Sequence, residues 1–187
     1  MMKKSTKLIA VAFTAAAMFF GSAVKAQTTP VNKFRLGVGL ELGAPTGNEH
    51  TVSNFELGGT ARLQYGLSKN LALTVTSGYY NFFGKTGNYT YNGVPFTGKA
   101  ADLGVVPLKA GVKAFFTDNL YFGAEVGAGF ETQTNGSTKL IVAPGLGFAN
   151  THWDIGVRYE NFSGNNYQGI SGSYGLVGAR IAYGFSL

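Results

Sequence analysis

From residue 34 onward, hydrophobic and polar positions alternate with a period of two, the repeat of a strand whose two faces meet different surroundings. The first run sets Phe34, Leu36, Val38, Leu40 and Leu42 against Arg35, Gly37, Gly39, Glu41 and Gly43. Seven more runs follow the same rule, over 55–65, 71–79, 106–116, 120–131, 140–148, 153–160 and 177–187. After Gln27 no apolar stretch reaches the roughly 20 residues of a spanning helix, and no 3.6-residue period persists. The pattern predicts an all-β chain of eight antiparallel strands.

The connections between the runs alternate in length. Ser68-Lys69-Asn70, Thr117-Asp118-Asn119 and Asn150-Thr151 are tight, and Asn and Asp tolerate the backbone of tight hairpins. Segments 45–53, 83–101, 132–137 and 163–172 are longer and rich in Gly, Asn, Ser and Thr. Short turns at one end and long loops at the other, with an even strand number, is the arrangement of an up-and-down barrel that crosses a membrane. The tight turns and both termini are then expected on the periplasmic side, and the four long loops outside.

Period-two alternation also suits a soluble barrel, and the composition of the two faces separates the cases. An apolar face turned inward would send more large side chains into an eight-stranded lumen than it holds. It would leave an exterior of Gly, Ala and Thr with few charges, a poor surface for solubility. Turned outward, the bulky apolar residues meet lipid, and the narrow interior takes Gly and a few long polar chains. The aromatic residues of the outward face gather near strand ends. Phe34, Tyr65, Phe116, Phe122, Phe148, Trp153 and Phe185 stand at the turn end, and Phe55, Tyr79, Phe130 and Tyr159 at the loop end. Two aromatic girdles around an aliphatic band are expected of a membrane barrel.

Before these runs, Lys3, Lys4 and Lys7 precede an uncharged, mostly apolar stretch over 8–20. Small residues follow at the cleavage positions Val24 and Ala26. Residues 1–26 are therefore expected to be a cleaved secretory signal peptide, with the barrel domain over 27–187. Removal changes the charge argument. The chain has 15 Lys and Arg; without Lys3, Lys4, Lys7 and Lys25 there remain 11, against 9 Asp and Glu. The net charge of +6 is thus mostly a property of the leader, and no nucleic-acid partner is implied. No Cys is present, which excludes disulfides and thiolate metal sites.

These runs resemble the small eight-stranded outer-membrane barrels of the OmpA and OmpX kind, and the outer membrane protein beta-barrel domain family of Bacteroidota-like bacteria. The resemblance spans the mature chain and is architectural. The last run, with Ile181, Tyr183, Phe185 and Leu187 alternating, is similar to the C-terminal signal read by the barrel-assembly machinery, except that it ends on Leu rather than Phe. It implies a place in the bacterial outer membrane among lipid and lipopolysaccharide. With Leu187 last, the peptidoglycan-binding domain of larger relatives is not expected.

The inward face carries Arg35, Arg62, Lys109, Lys113, Arg158 and Arg180 against Glu41, Glu56, Glu125, Glu131, Asp154 and Glu160. Balanced charges in a narrow lumen predict a paired network that plugs it; a charge-lined conduction path is the alternative. The expected role is structural or surface interaction without catalysis. A narrow channel or carrier of small hydrophobic molecules is a second reading. A third is a lipid A-modifying enzyme, since some barrels of this architecture use His, Ser and an acid near the outer rim, and His50 lies beside Glu49 and Ser53. His152 is expected as a solvated turn residue. No metal or other cofactor is expected. Tyr89, Tyr91, Phe96 and Tyr167, set among amides in the second and fourth loops, are the candidate surface contacts.

Overall fold

The structure is a computed structural model, and it describes residues 30–47, 53–91, 93–134, 136–164 and 172–187. The side chains of Tyr89, Tyr91 and Phe96 fall outside the description. Ten strands follow in order: β1 (Phe34–Gly47), β2 (Ser53–Ser68), β3 (Leu71–Gly84), β4 (Thr86–Tyr91), β5 (Val94–Lys99), β6 (Leu103–Phe115), β7 (Leu120–Glu131), β8 (Thr138–Ala149), β9 (Trp153–Ser163) and β10 (Tyr174–Ser186). Eight of them close a barrel in the order β1-β10-β9-β8-β7-β6-β3-β2. Every pairing is antiparallel. The closing seam between β1 and β10 runs from Arg35–Ser186 to Gly47–Tyr174. Closure leaves no sheet edge, which a strand structure in hydrocarbon requires.

The remaining pair, β4 and β5, forms a separate two-stranded sheet in register from Thr86–Lys99 to Tyr91–Val94. The sequence pattern treats this stretch as a loop. Its two runs are only six residues each, with Tyr89, Tyr91, Val94 and Phe96 at one set of alternate positions and Asn88, Thr90, Thr97 and Lys99 at the other, so the period of two is present but too short to stand out from a loop.

The alternation is resolved with the apolar face outward. Leu40 is 69% exposed while the next residue, Glu41, is 1% exposed. Val38, Leu42, Val126, Leu146, Val157 and Ile181 likewise face out, and Arg62, Lys109 and Arg180 are buried inside. Such an exterior is suited to acyl chains rather than water. Aromatic rings meet near the ends of the band, as in Phe34–Tyr65 at 4.8 Å and Tyr183–Phe185 at 5.0 Å on one side, and Phe55–Phe83 at 4.6 Å on the other.

The tight turns are tied to one another by asparagines. Asn70 Nδ2 donates to Phe115 O at 3.0 Å, and Asn119 Nδ2 donates to Ala149 O at 2.9 Å, so each turn holds the end of a neighbouring strand. Asn150 Oδ1 accepts from the His152 and Trp153 amides at 2.9 and 2.7 Å, an Asx turn. His152 is exposed in that turn.

Two seams are interrupted at proline. Between β8 and β9 the register stops at Val142–Asn161 and resumes at Gly145–Arg158, skipping Pro144. Between β3 and β6 it skips from Ser77–Leu108 to Tyr80–Val105, past Pro107. Proline has no N–H to donate to a ladder, so each seam loses pairing there.

Candidate functional site in the barrel lumen

Inward positions on neighbouring strands combine long and small residues. Arg62 stands opposite Gly37, Lys109 opposite Gly127, Glu125 opposite Gly111, and Arg158 opposite both Gly145 and Gly178. Glycine here supplies room. A Cβ at Gly127 would clash with Leu108 O and lie 2.6 Å from the Lys109 Cα, so the backbone of β6 approaches too closely there for any side chain.

The charged groups form one connected set. Arg62 donates through Nη2 to Glu125 at 3.1 Å and through Nε to Thr76 Oγ1 at 2.9 Å. Thr76 donates on to Glu125 at 2.6 Å. Lys109 Nζ donates to Glu160 at 2.6 Å and approaches Glu125 at 3.7 Å. Arg158 donates to Glu41 at 2.7 Å and also to Glu160. Arg180 pairs with Glu41 at 3.1 Å, and Thr60 donates to the same carboxylate at 2.5 Å. Asp154 receives Lys113, the Tyr121 hydroxyl at 2.7 Å, and more distant contacts from Arg62 and Arg180 at 3.7 and 3.5 Å.

The other predicted members sit apart. Arg35 is buried near the turn end of β1, beside Gly184. Glu56 is fully buried, and neither of its carboxylate oxygens has a hydrogen-bond partner. Glu131 lies at the loop end, where Ser137 donates to it at 2.8 and 2.9 Å. Lys139 approaches Glu131 at 3.8 Å. Lys139 was not among the predicted lumen residues, yet it is inward by the same alternation that points Leu140 and Val142 outward.

An apolar cap was also missed. Tyr80, Phe82, Val105, Ile141, Phe162, Tyr174 and Leu176 pack together inside the barrel toward the loop end. Phe162 stacks on Tyr174 at 4.7 Å, with Phe82 edge-on to both. Continuing the period of β3 past Tyr79 turns Tyr80 and Phe82 inward, which was the available signal. At the turn end, Phe115, Tyr121 and Ala149 form a smaller cluster. Tyr80 joins cap to network: its hydroxyl accepts from Lys109 and Arg158, both at 3.0 Å, and donates to Glu160 at 3.3 Å. The lumen is therefore a polar middle between two apolar ends. Cavities of about 30 and 10 Å³ lie among its side chains, room for one or two waters.

Of the rim and loop candidates, Ser53 opens β2 and is buried, whereas His50, Glu49 and Tyr167 lie outside the described residues. Tyr89 pairs with Phe96, and Tyr91 with Val94, through the backbone of the β4–β5 hairpin. Among the described residues no group of three or more His, Cys, Asp or Glu is placed to hold a metal.

The closed antiparallel barrel, apolar outside and charged within, defines the small eight-stranded outer-membrane barrel fold. Among solved structures, the chain is similar to Ail, the attachment invasion locus protein of Yersinia pestis, with a TM-score of 0.54 and 13% identity over 83% of this chain and 99% of that one. Ail has also been solved with the heparin analogue sucrose octasulfate. The outer membrane protein OprG of Pseudomonas aeruginosa matches with a TM-score of 0.50 and 11% identity, covering 87% of this chain and 99% of that one. The de novo designed barrel TMB2.3 matches at 0.50 with 20% identity, covering 83% and 97%. No protein-family model and no curated protein matches the chain.

Proposed function

We propose that this chain is an integral protein of a bacterial outer membrane, exported by residues 1–26. Its charged lumen acts as a plug, and its work is done by the surface it presents outside. The observation that carries this reading is the connected set of ion pairs across the lumen, from Asp154 through Arg62 and Glu125 to Lys109 and Glu160. Each link ties side chains from different strands, so the network fixes register as well as filling space. Removing one partner would strand the other in a low dielectric. A polar path for solutes would need these groups hydrated rather than bonded to each other.

The partners in this reading are outer-membrane lipid and lipopolysaccharide around the aliphatic band. During insertion the barrel-assembly machinery would read β10, whose Ile181, Tyr183 and Phe185 all face outward. The β4–β5 hairpin, a sheet separate from the barrel, is the element best suited to meet an external partner.

Planar-bilayer recording of the purified, folded barrel tests the plug. The expected result is heat-modifiable migration on gels together with no stable open-channel conductance. Large, regular single-channel steps from the wild type would refute the closed lumen.

A further inference from the structure

The lumen charges do not balance. Among the described residues, the enclosed cations are Arg35, Arg62, Lys109, Lys113, Lys139, Arg158 and Arg180, and the enclosed carboxylates are Glu41, Glu56, Glu125, Asp154 and Glu160, with the less enclosed Glu131 facing Lys139. The excess of one cation persists within the ion-pair network, in which Glu56 takes no part. Glu56 lies by Leu176 and Gly43 at the edge of the apolar cap. Five network cations therefore share four carboxylates. Excess charge enclosed in a barrel surrounded by hydrocarbon is costly unless something compensates it.

The excess is concentrated at one place. The cavity of about 30 Å³ is bounded by Arg62, Lys113, Arg158 and Arg180, with Glu125 the one carboxylate on its wall. The Glu125 oxygens already accept from Thr76 and Arg62. Arg180 is 2% exposed, and its Nη1 makes no hydrogen bond, meeting Asp154 only as an ion pair at 3.5 Å. The wall is also held open. At Gly123 a Cβ would come no nearer than 3.4 Å to the Tyr121 ring, so packing does not demand glycine there and the missing side chain leaves space.

We propose that this cavity binds a small monovalent anion, chloride under ordinary conditions. The proposal rests on the closed-lumen reading and adds a ligand to it. An anion accepts the N–H groups that the network leaves over and cancels one positive charge, which a water molecule does not do. A space of about 30 Å³ suits a small monatomic ion.

Crystals of the folded barrel grown in sodium bromide test this through anomalous scattering. An anomalous peak in the cavity, beside Arg180, is expected for the wild type. Gly123→Ala fills the space without a clash and should lose the peak while keeping heat-modifiable migration; Arg180→Gln should lose it too. A folded wild-type barrel with only water in the cavity overturns the anion site and leaves the plug intact. Large single-channel conductance would overturn both.

Discussion

Lys109 Nζ donates to Glu160 Oε1 at 2.6 Å across the lumen, and both side chains are completely buried. They come from β6 and β9, which are not neighbours in the barrel. Their bond therefore braces the interior in a way that no strand-to-strand ladder does.

Breaking this brace from one side leaves a buried charge without its partner. Lys109→Met or Glu160→Gln should each lower stability by about 3–5 kcal/mol. The double variant should lose clearly less than the sum, because the two residues interact directly. Urea titrations of the folded barrel, followed by the fluorescence of the single Trp153, measure all three. Additive losses would mean the contact contributes no coupling.

Pro144 faces outward at the gap in the β8–β9 seam. Pro144→Val restores an amide donor and keeps an apolar surface toward lipid. The gain should be about 0.5–1.5 kcal/mol, the usual net value of one hydrogen bond. Slower hydrogen exchange at the flanking β9 amides would locate the effect.

Asp102 sits between β5 and β6, where its carboxylate accepts the Gly84 amide at 2.9 Å and pairs with Lys99 at 3.1 Å. The Gly84 hydrogen bond first, and then Lys99, hold its carboxyl below the usual carboxylate range. A depressed value in the folded state means that the contact stabilises the hairpin base at neutral pH. That contribution is lost as the pH falls through the lowered value. The Gly84 amide resonance should therefore titrate in acid in the wild type and stay flat in Asp102→Asn.

The barrel was legible because lipid outside and a narrow lumen inside impose opposite demands on alternate residues. Leu40 and Glu41, or Ile181 and Arg180, declare their faces in the sequence alone. The charged lumen residues came from the same rule. The rule failed to reveal the cap because Tyr79-Tyr80-Asn81-Phe82-Phe83 is aromatic on both faces, which removes the contrast that period-two reading relies on. It passed over Lys139 because that residue stands at the start of β8, next to a polar connection. The pairing pattern itself was not legible: which carboxylate Arg62 or Arg158 meets depends on strand stagger, which alternation does not encode.

In the proposed outer-membrane setting the bulky apolar face touches acyl chains while the charged face is enclosed. Nuclear Overhauser contacts between side-chain methyls and lipid acyl protons, recorded on the wild-type barrel in bicelles, test it most directly. Contacts are expected at Val38, Leu40, Leu42, Val126 and Ile181, which point outward, and none at Val105, Ile141 and Leu176, which are fully buried. Acyl contacts at the second group, with water contacts at the first, would contradict it.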